Sequence, residues 1–315
     1  MAASATTYST YVKRIRAKDP SVILGSLCWY SVAEDTLVKH ADLVDLLTKV
    51  GLDTHQPPAP KDEDVFRRVA SSHQRKKVET DDPNIYENYM IRDVKRGPDV
   101  YVKQIVVERV NGKNVKLGYE PAVQMEFTVA TGKIDITPVS KRPNPQAQNL
   151  AELIRKDFRS EKGHTNAYGI RETIRRAVNG TGATCVKPTG GVYFIMESQR
   201  QTVDALTDFA NALDGVTFHP VPLINDAEQQ AMLRAAFEAE TKGTVEDRLQ
   251  QIDEMLAGPE ITARRYADLV AEMRSIQSRT GEYRDLLDDT LANTDLVLKS
   301  YEAKMKKLWL HVKGD

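Results

Sequence analysis

Three arginines, Arg171, Arg175 and Arg176, fall within six residues of one another, just ahead of the stretch NGTGATCVKPTGGVYFIM at residues 179–196. Ile170, Ile174 and Val178 recur at i, i+4 and i+8, which predicts a helix whose apolar stripe faces a core and leaves the guanidinium groups on the opposite side. A guanidinium offers planar paired donors suited to phosphate oxygens and base edges. Two helices followed by a Gly-paired hairpin is the plan of a winged helix, in which the second helix enters the major groove and the hairpin meets adjacent phosphate. Lys187, near the hairpin tip, suits such a contact. A second basic cluster, Arg67, Arg68, Arg75, Lys76 and Lys77, would extend the track if it lay on the same side. The same residues have a plainer reading. The arginines would pair with Glu172 and its neighbours, Val192, Tyr193, Phe194 and Ile195 would fill a core, and residues 67–77 would be a generic charge run.

Other chemistries are thinly represented. Glu108, Glu126 and Asp135 sit on strand-like segments and with a nearby lysine could hold a catalytic metal, or they are solvated residues of a polar sheet face. ATGK at 130–133 is too short for a phosphate-cradling loop, and no H-E-x-x-H, G-x-S-x-G, paired C-x-x-C or kinase signature occurs. The six histidines are dispersed, and none has a second His or Cys one helical turn away, so no metal site and no cofactor are expected. His164 reads as a loop residue and His219 as a packed strand residue. Cys28 and Cys185 read as small buried side chains, far apart, without a disulfide, in a reducing cytoplasm.

The bulk numbers narrow the classes of function. With 315 residues the chain exceeds the roughly 250–300 at which single cores stop growing, so two or three units are expected. Lys+Arg 44 against Asp+Glu 45 leaves a net charge of −1, and nucleic-acid contact must then come from local patches. Charged residues make up 28% and mean hydropathy is −0.47. No apolar stretch approaches the roughly 18 residues of a membrane helix, and the first twenty residues lack the apolar core of a secretory signal.

The elements that position these residues follow from periodicity. Ser31 and Glu34 form a capping box ahead of Leu37, Ala41, Val44 and Leu47, predicting a helix over about 32–50 that stops at Gly51. HQPPAPKDED is an extended connector. A helix from about Asp62 carries Val65, Phe66 and Val69 and runs into RRVASSHQRKK. From about 100 to 139 the period becomes two. Asn111-Gly112 and Thr131-Gly132 are turns, and Val115, Leu117, Tyr119, Val123, Met125, Phe127, Val129, Ile134 and Ile136 alternate with polar neighbours. Four antiparallel strands with one helix-covered face are expected, the cover coming from the helix at 32–50. SKRPNPQAQN at 140–149 reads as a domain boundary. After it come helices at about 150–159 and 168–178, the hairpin, a helix with Val203, Leu206, Phe209 and Leu213, and the strand VTFHPVPLI. The last ninety residues predict two helical arms, 227–256 and about 261–310, broken at Gly258-Pro259. Leu269, Met273, Ile276, Thr280, Tyr283 and Leu287 follow coiled-coil spacing. Thr290 and Thr294 weaken that seam, and Leu298, Tyr301, Met305 and Leu308 restore it in a shifted register.

The order of elements over about 85–310, with Lys187 to Phe194 as its local motif, resembles uncharacterised bacteriophage and actinobacterial proteins with a central K-P-x-G-G-V-Y-F-like hairpin. The resemblance implies a phage or bacterial cytoplasmic setting and carries no activity. The expectation is therefore an α+β protein with an antiparallel sheet domain at 1–139, a winged-helix-like domain at 150–226 and a C-terminal helical hairpin or coiled coil at 227–315. Its expected role is that of a non-enzymatic accessory factor contacting duplex DNA or a nucleic-acid-bound assembly, and self-associating through Leu269, Met273, Ile276, Tyr283 and Leu287. A scaffold without nucleic-acid contact and a metal-dependent hydrolase built on Glu108, Glu126 and Asp135 are the alternatives.

Overall fold

The computed structural model describes residue 19 and residues 22–187, 189–258, 262–288 and 291–313. The N-terminal stretch read for a signal, Pro259, Ile261 and Thr290 lie outside these residues. In chain order the elements are β1 (Ile23–Val32), β2 (Leu37–Lys39), α1 (His40–Val50), α2 (Asp62–Ser72), β3 (Arg75–Glu79), β4 (Ile85–Arg96), β5 (Val100–Asn111), β6 (Lys116–Thr128) and β7 (Lys133–Pro138). There follow α3 (Pro145–Glu161), β8 (His164–Asn166), α4 (Ala167–Gly180), β9 (Thr184–Lys187), β10 (Val192–Met196), α5 (Arg200–Asn211), β11 (Val216–Ile224), α6 (Ala227–Leu256), α7 (Ala263–Leu287) and α8 (Ala292–Lys313). The fold is mixed α+β with antiparallel sheets and a C-terminal helical hairpin. No helix among the described residues is long and apolar enough to cross a membrane.

Residues 35–45 and 57–170 form one compact unit, and residues up to 34, 46–56 and 171 onward form the other. The first holds a five-stranded antiparallel meander, β3-β4-β5-β6-β7. One face of it is covered by α2 through Val65, Phe66, Val69 and Ala70 and by α3 through Ala147, Leu150, Ala151, Ile154 and Phe158. Phe66 stacks on Phe127 at 5.1 Å between ring centroids, and Phe158 meets Phe127 edge-on at 5.5 Å, the offset and T-shaped geometries aromatic quadrupoles favour. Asn144 caps α3 by accepting from the Ala147 amide at 2.9 Å, with Pro145 in the first turn where its missing N–H costs nothing.

The expected boundary at 140–149 therefore joins two parts of one unit. A polar, proline-containing connector says nothing about which core its following helix enters, and the apolar stripe of α3 enters the meander's. The stretch 150–226, read as one winged-helix-like domain, is divided between the units at residue 170. Its hairpin, β9 and β10, belongs to a four-stranded antiparallel sheet of order β11-β1-β10-β9 in the second unit, so the two-helix-plus-wing arrangement is not formed. β1 makes the difference. Pairing with β10 on one side and β11 on the other draws Ser31 into the strand, where its hydroxyl lies 2.8 Å from Thr217 Oγ1. The helix that Ser31 was expected to cap starts only at His40. Gly25 is needed for the pairing, because a Cβ there would lie 2.1 Å from the Ile195 carbonyl oxygen.

Two further expectations shift. Asn111-Gly112 is not a two-residue turn. The left-handed position is Asn114, at φ 60°, and the Asn111 side-chain oxygen accepts from the Lys113 and Val115 amides, giving a longer loop of the type-I-plus-bulge kind. The second C-terminal arm is two helices, with Asp288 and Leu291 at positive φ. α6, α7 and α8 then pack on one another around Val245, Ile252, Leu269, Leu298, Tyr301, Met305 and Leu308. The upper ends of α6 and α7 cover Leu24, Phe194, Met196 and Leu223 of the four-stranded sheet through Leu233, Phe237, Tyr283 and Leu287.

Candidate functional site

The arginine row of α4 is largely engaged by acids. Arg171 donates to the Val32 carbonyl and to Glu34, both at 2.7 Å. Arg175 grips Glu172 through Nε at 2.8 Å and Nη2 at 2.6 Å. The Arg175 hydrogen bond is the main cause, and the charge of Arg176 a lesser one, holding Glu172 below the usual carboxylate range. Arg176 and Lys187 are exposed. Of the four residues assigned to phosphate on this side, Arg171 is tied into the fold, Arg175 is paired within α4 while remaining exposed, and Arg176 and Lys187 are turned to water.

The second basic cluster divides by element. Arg67 and Arg68 lie on α2, Arg67 3.2 Å from Asp64 and Arg68 bonded to Glu161. Arg75, Lys76 and Lys77 are exposed on β3, an edge strand of the meander. Lys77 has φ 55° at a register shift, and its amide donates to Asn88 Oδ1 at 2.8 Å. Charged side chains and a bulge are how sheets keep an edge from pairing with another chain. That gives these three residues a structural role.

The three acids do not converge. Glu126 and Asp135 are cross-strand partners, with Asp135 2.7 Å from Lys133. Glu108 lies six residues along β5 from Val102, the partner of Glu126, which is about 20 Å at strand rise. Hydrogen bonds from Lys116 and Asn88 lower its pKa, with Lys116 Nζ 2.8 Å from Oε1. No group of three potential metal ligands occurs among the described residues.

Cys28 and Cys185 are each the cross-strand partner of Tyr193, two strand spacings or about 10 Å apart and beyond disulfide reach. Burial pushes the Cys28 thiol up to about 12. His164 accepts a place in β8 rather than a loop. His219, expected to be packed, is exposed against Trp29, with 5.5 Å between ring centroids.

The seam assigned to self-association is internal. Leu269, Tyr283 and Leu287 are at most 2% exposed. Met273 and Ile276 are half-buried against the core that α6, α7 and α8 share. The helix broken after Leu287 folds its two apolar patches onto α6 within the chain.

What sequence reasoning missed is a feature of β6. This strand has thirteen residues and its neighbour β7 six. Their pairing runs only from Val123 to Thr128 on β6, so Lys116–Pro121 pair with β5 alone among the described residues. All six are exposed, with Leu117 at 55% and Tyr119 at 57%, and Val115 beside them at 54%. A cavity of about 150 Å³ adjoins this stretch, lined in part by Gly118, Tyr119, Glu120, Ser140 and Arg142. Alternation had placed Val115, Leu117 and Tyr119 on a core face. The usable signal was unequal strand length, since TGKIDITP is too short to pair along the whole of its predecessor.

The other edges are treated differently. β3 carries Arg75, Lys76 and Lys77. β11 has prolines at 220 and 222, which remove two donors from an edge strand. β9 is flanked by α6. Lys116–Pro121 also carries charged residues and a proline, Lys116, Glu120 and Pro121, but sets the exposed Leu117 and Tyr119 between them.

Comparison with curated proteins and with solved structures finds no match. The model of the family of unknown function DUF6744 matches residues 23–314, and the chain belongs to that family.

Proposed function

We propose that this protein is a non-enzymatic assembly protein whose self-association uses the free edge of β6. The observation that carries the reading is the exposed run Lys116–Pro121 with Leu117, Tyr119 and the adjacent Val115. An unpaired strand edge is a template for another strand, main-chain hydrogen bonds supplying affinity and alternate side chains specificity. The occupant is the same edge of a second copy, because two antiparallel β6 edges meet by a two-fold axis in a self-complementary contact. Six residues a side is a small interface, so the dimer is weak and concentration-dependent. The near-zero net charge leaves little long-range repulsion against such pairing. Free thiols at Cys28 and Cys185 agree with the reducing cytoplasm of a bacterial or phage-infected cell. With Arg171 and Arg175 engaged, duplex DNA binding draws on Arg176 and Lys187 and on the exposed Arg75, Lys76 and Lys77 of β3, and it is the weaker reading.

Sedimentation velocity on the full chain tests this. The protein should show a dimer fraction that rises with concentration, and Leu117→Lys with Tyr119→Lys should leave a monomer with unchanged circular dichroism. A dimer that survives both substitutions, or a chain that stays monomeric at every concentration up to the solubility limit, rejects the proposal.

A further inference from the structure

A second feature of the meander unit has no part in strand addition. Asp64, Arg67, Arg68 and Ser71 fall at i, i+3, i+4 and i+7 of α2 and so share one stripe of the helix, next to the stripe that Val65, Phe66, Val69 and Ala70 bury on the sheet. Across from them a register shift between Asp93 and Lys95 interrupts β4. One extra residue reverses the alternation of side chains beyond it. Asp93 is opposite Lys103, and after the shift Arg96 is opposite Tyr101. Tyr101 and Lys103 are two apart on β5, so Asp93, Arg96 and Lys103 all point to the helix-covered face. Without the bulge Arg96 would face away.

These seven residues line an open cavity of about 340 Å³, within the size range of small-molecule sites. Four of its lining groups are cationic and two are carboxylates. Lys103 stands out. Its side chain is 5% exposed, rare for a lysine, and Asp93 Oδ1 at 2.6 Å is its one hydrogen-bond acceptor among the described residues. An ammonium has three donors, so two remain in a cavity whose wall also holds Arg67, Arg68 and Arg96. Asp93 is shared, since Arg96 bonds its other oxygen. Arg67 keeps most of its fork beyond a single 3.2 Å bond to Asp64.

The geometry points to a binding site for a phosphate group, free or as the monoester of a small molecule, held by Lys103 and Arg96 from the sheet and by Arg67 from the helix. A phosphate brings three or four acceptor oxygens to donors that now have too few acceptors, and paired N–H groups of arginine match two oxygens at once. The carboxylates set the specificity. Asp64 and Asp93 orient the cations and repel a second negative group, which favours a lone phosphate over a phosphate chain.

Isothermal titration calorimetry on the full chain, at ionic strength fixed with chloride, tests the site with inorganic phosphate, glycerol phosphate and a short DNA duplex. Phosphate or glycerol phosphate should bind one per chain. Arg96→Gln, at an exposed strand end (side chain 57% exposed), should weaken it about tenfold or more, the scale of one lost charge-assisted bond. Arg67→Gln should weaken it less, and Arg155→Gln, outside the cavity, not at all. Lys103→Met should abolish binding, with circular dichroism checking its fold; Arg96→Gln keeps the test decisive if that variant misfolds. No heat beyond that of chloride, or binding unchanged in Arg96→Gln, overturns the site. Binding of the DNA duplex alone would overturn the small-molecule assignment. Sedimentation reads the β6 edge separately, so failure of either idea is distinguishable from failure of the other.

Discussion

Glu240→Ala probes how the C-terminal helices are fixed to the sheet of their own unit. Glu240, on α6, accepts at one oxygen from Arg279 of α7 at 2.8 Å and from the Cys185 amide of β9 at 3.0 Å. Arg279 also donates to Thr184 at 2.6 Å and lies over the rings of Phe237 at 5.2 Å and Tyr283 at 5.9 Å. Alanine removes two bonds to a charged acceptor, each contributing about 1.5–3 kcal/mol when buried. The Arg279 and Glu240 side chains are 22% and 28% exposed, so water reaches the pair and the ionic share is discounted. A loss of about 3 kcal/mol remains, most of it from the stranded amide and guanidinium. Glu240→Gln keeps an acceptor and should cost about 1 kcal/mol. Arg279→Lys keeps the charge but not the fork or the ring contact, and should fall between them. Urea unfolding followed by tryptophan fluorescence suits the measurement. The chain has two tryptophans, and both, Trp29 in β1 and Trp309 in α8, belong to this unit. A Glu240→Ala protein within about 0.5 kcal/mol of the parent, the range of ordinary surface substitutions, or a Gln variant as damaged as the Ala one, would refute the reasoning.

Gly25→Ala should cost more than its size suggests, about 3 kcal/mol or more. The new methyl would meet the Ile195 oxygen at 2.1 Å and Met196 Cα at 2.9 Å, backbone atoms that can yield only if β1 and β10 part; a melting temperature equal to the parent's would contradict that contact. Acid should weaken the fold in a defined direction. Lys103 and Arg96 hold Asp93 below the usual carboxylate range, Lys116 and Asn88 do so for Glu108, and Arg175 for Glu172. Groups depressed in the folded state stabilise above their unfolded pKa and lose that contribution as pH falls through the folded one. Urea midpoints should therefore be flat from about pH 7 to 5 and decline below about pH 4, and a midpoint constant down to about pH 3 would show these pairs contribute nothing.

Much of the local structure is legible in the sequence because periodicity reports it directly. The helices from about 62, at about 150–159 and 168–178 and around Val203–Leu213, the hairpin within 179–196 and the strand VTFHPVPLI follow from apolar spacing and Gly turns, and the structure has them at 62–72, 145–161, 167–180, 200–211, 184–196 and 216–224. What sequence does not carry is partnership. Ile23–Val32 has a capping box at its end and still becomes a central strand, because β10 and β11 supply hydrogen bonds on both sides, more than one capped helical turn offers. α3 joins the meander rather than the helix that follows it, since Phe158 fits against Phe66 and Phe127. β3 and β4 went unseen: Arg75–Glu79 is too charged to alternate, and β4 buries only Tyr89 and Ile91. The seam of α7 shows why heptad spacing alone does not predict an oligomer. Leu269 and Tyr283 satisfy it equally well with a partner from the same chain.

The candidate site turns on the same distinction between residue type and environment. Basic residues drew attention by charge, yet Arg171 and Arg175 have carboxylate partners and Arg75, Lys76 and Lys77 border a sheet edge, where their effect is to prevent pairing. The meaningful basic groups are those whose surroundings leave donors over, and Lys103 is the clearest because its side chain is 5% exposed and has one carboxylate partner among the described residues. The meaningful apolar groups are those that burial passes by, Val115, Leu117 and Tyr119. Both sets sit on β5 and its hairpin; Lys103 is three residues, about 10 Å along the strand, from Val106, where the unpaired part of β6 begins at Pro121, and six residues, about 20 Å, from Arg109, the partner of Gly118. At that separation a phosphate held by Lys103 and Arg96 shares no contact with a strand added at Gly118, so nothing differs between the two states for either ligand to act upon. Phosphate should therefore leave the dimer fraction unchanged while Leu117→Lys and Tyr119→Lys leave phosphate affinity unchanged. Coupling between them would mean that the meander bends as a whole, and that the bulge at Asp93 is the place where it does so.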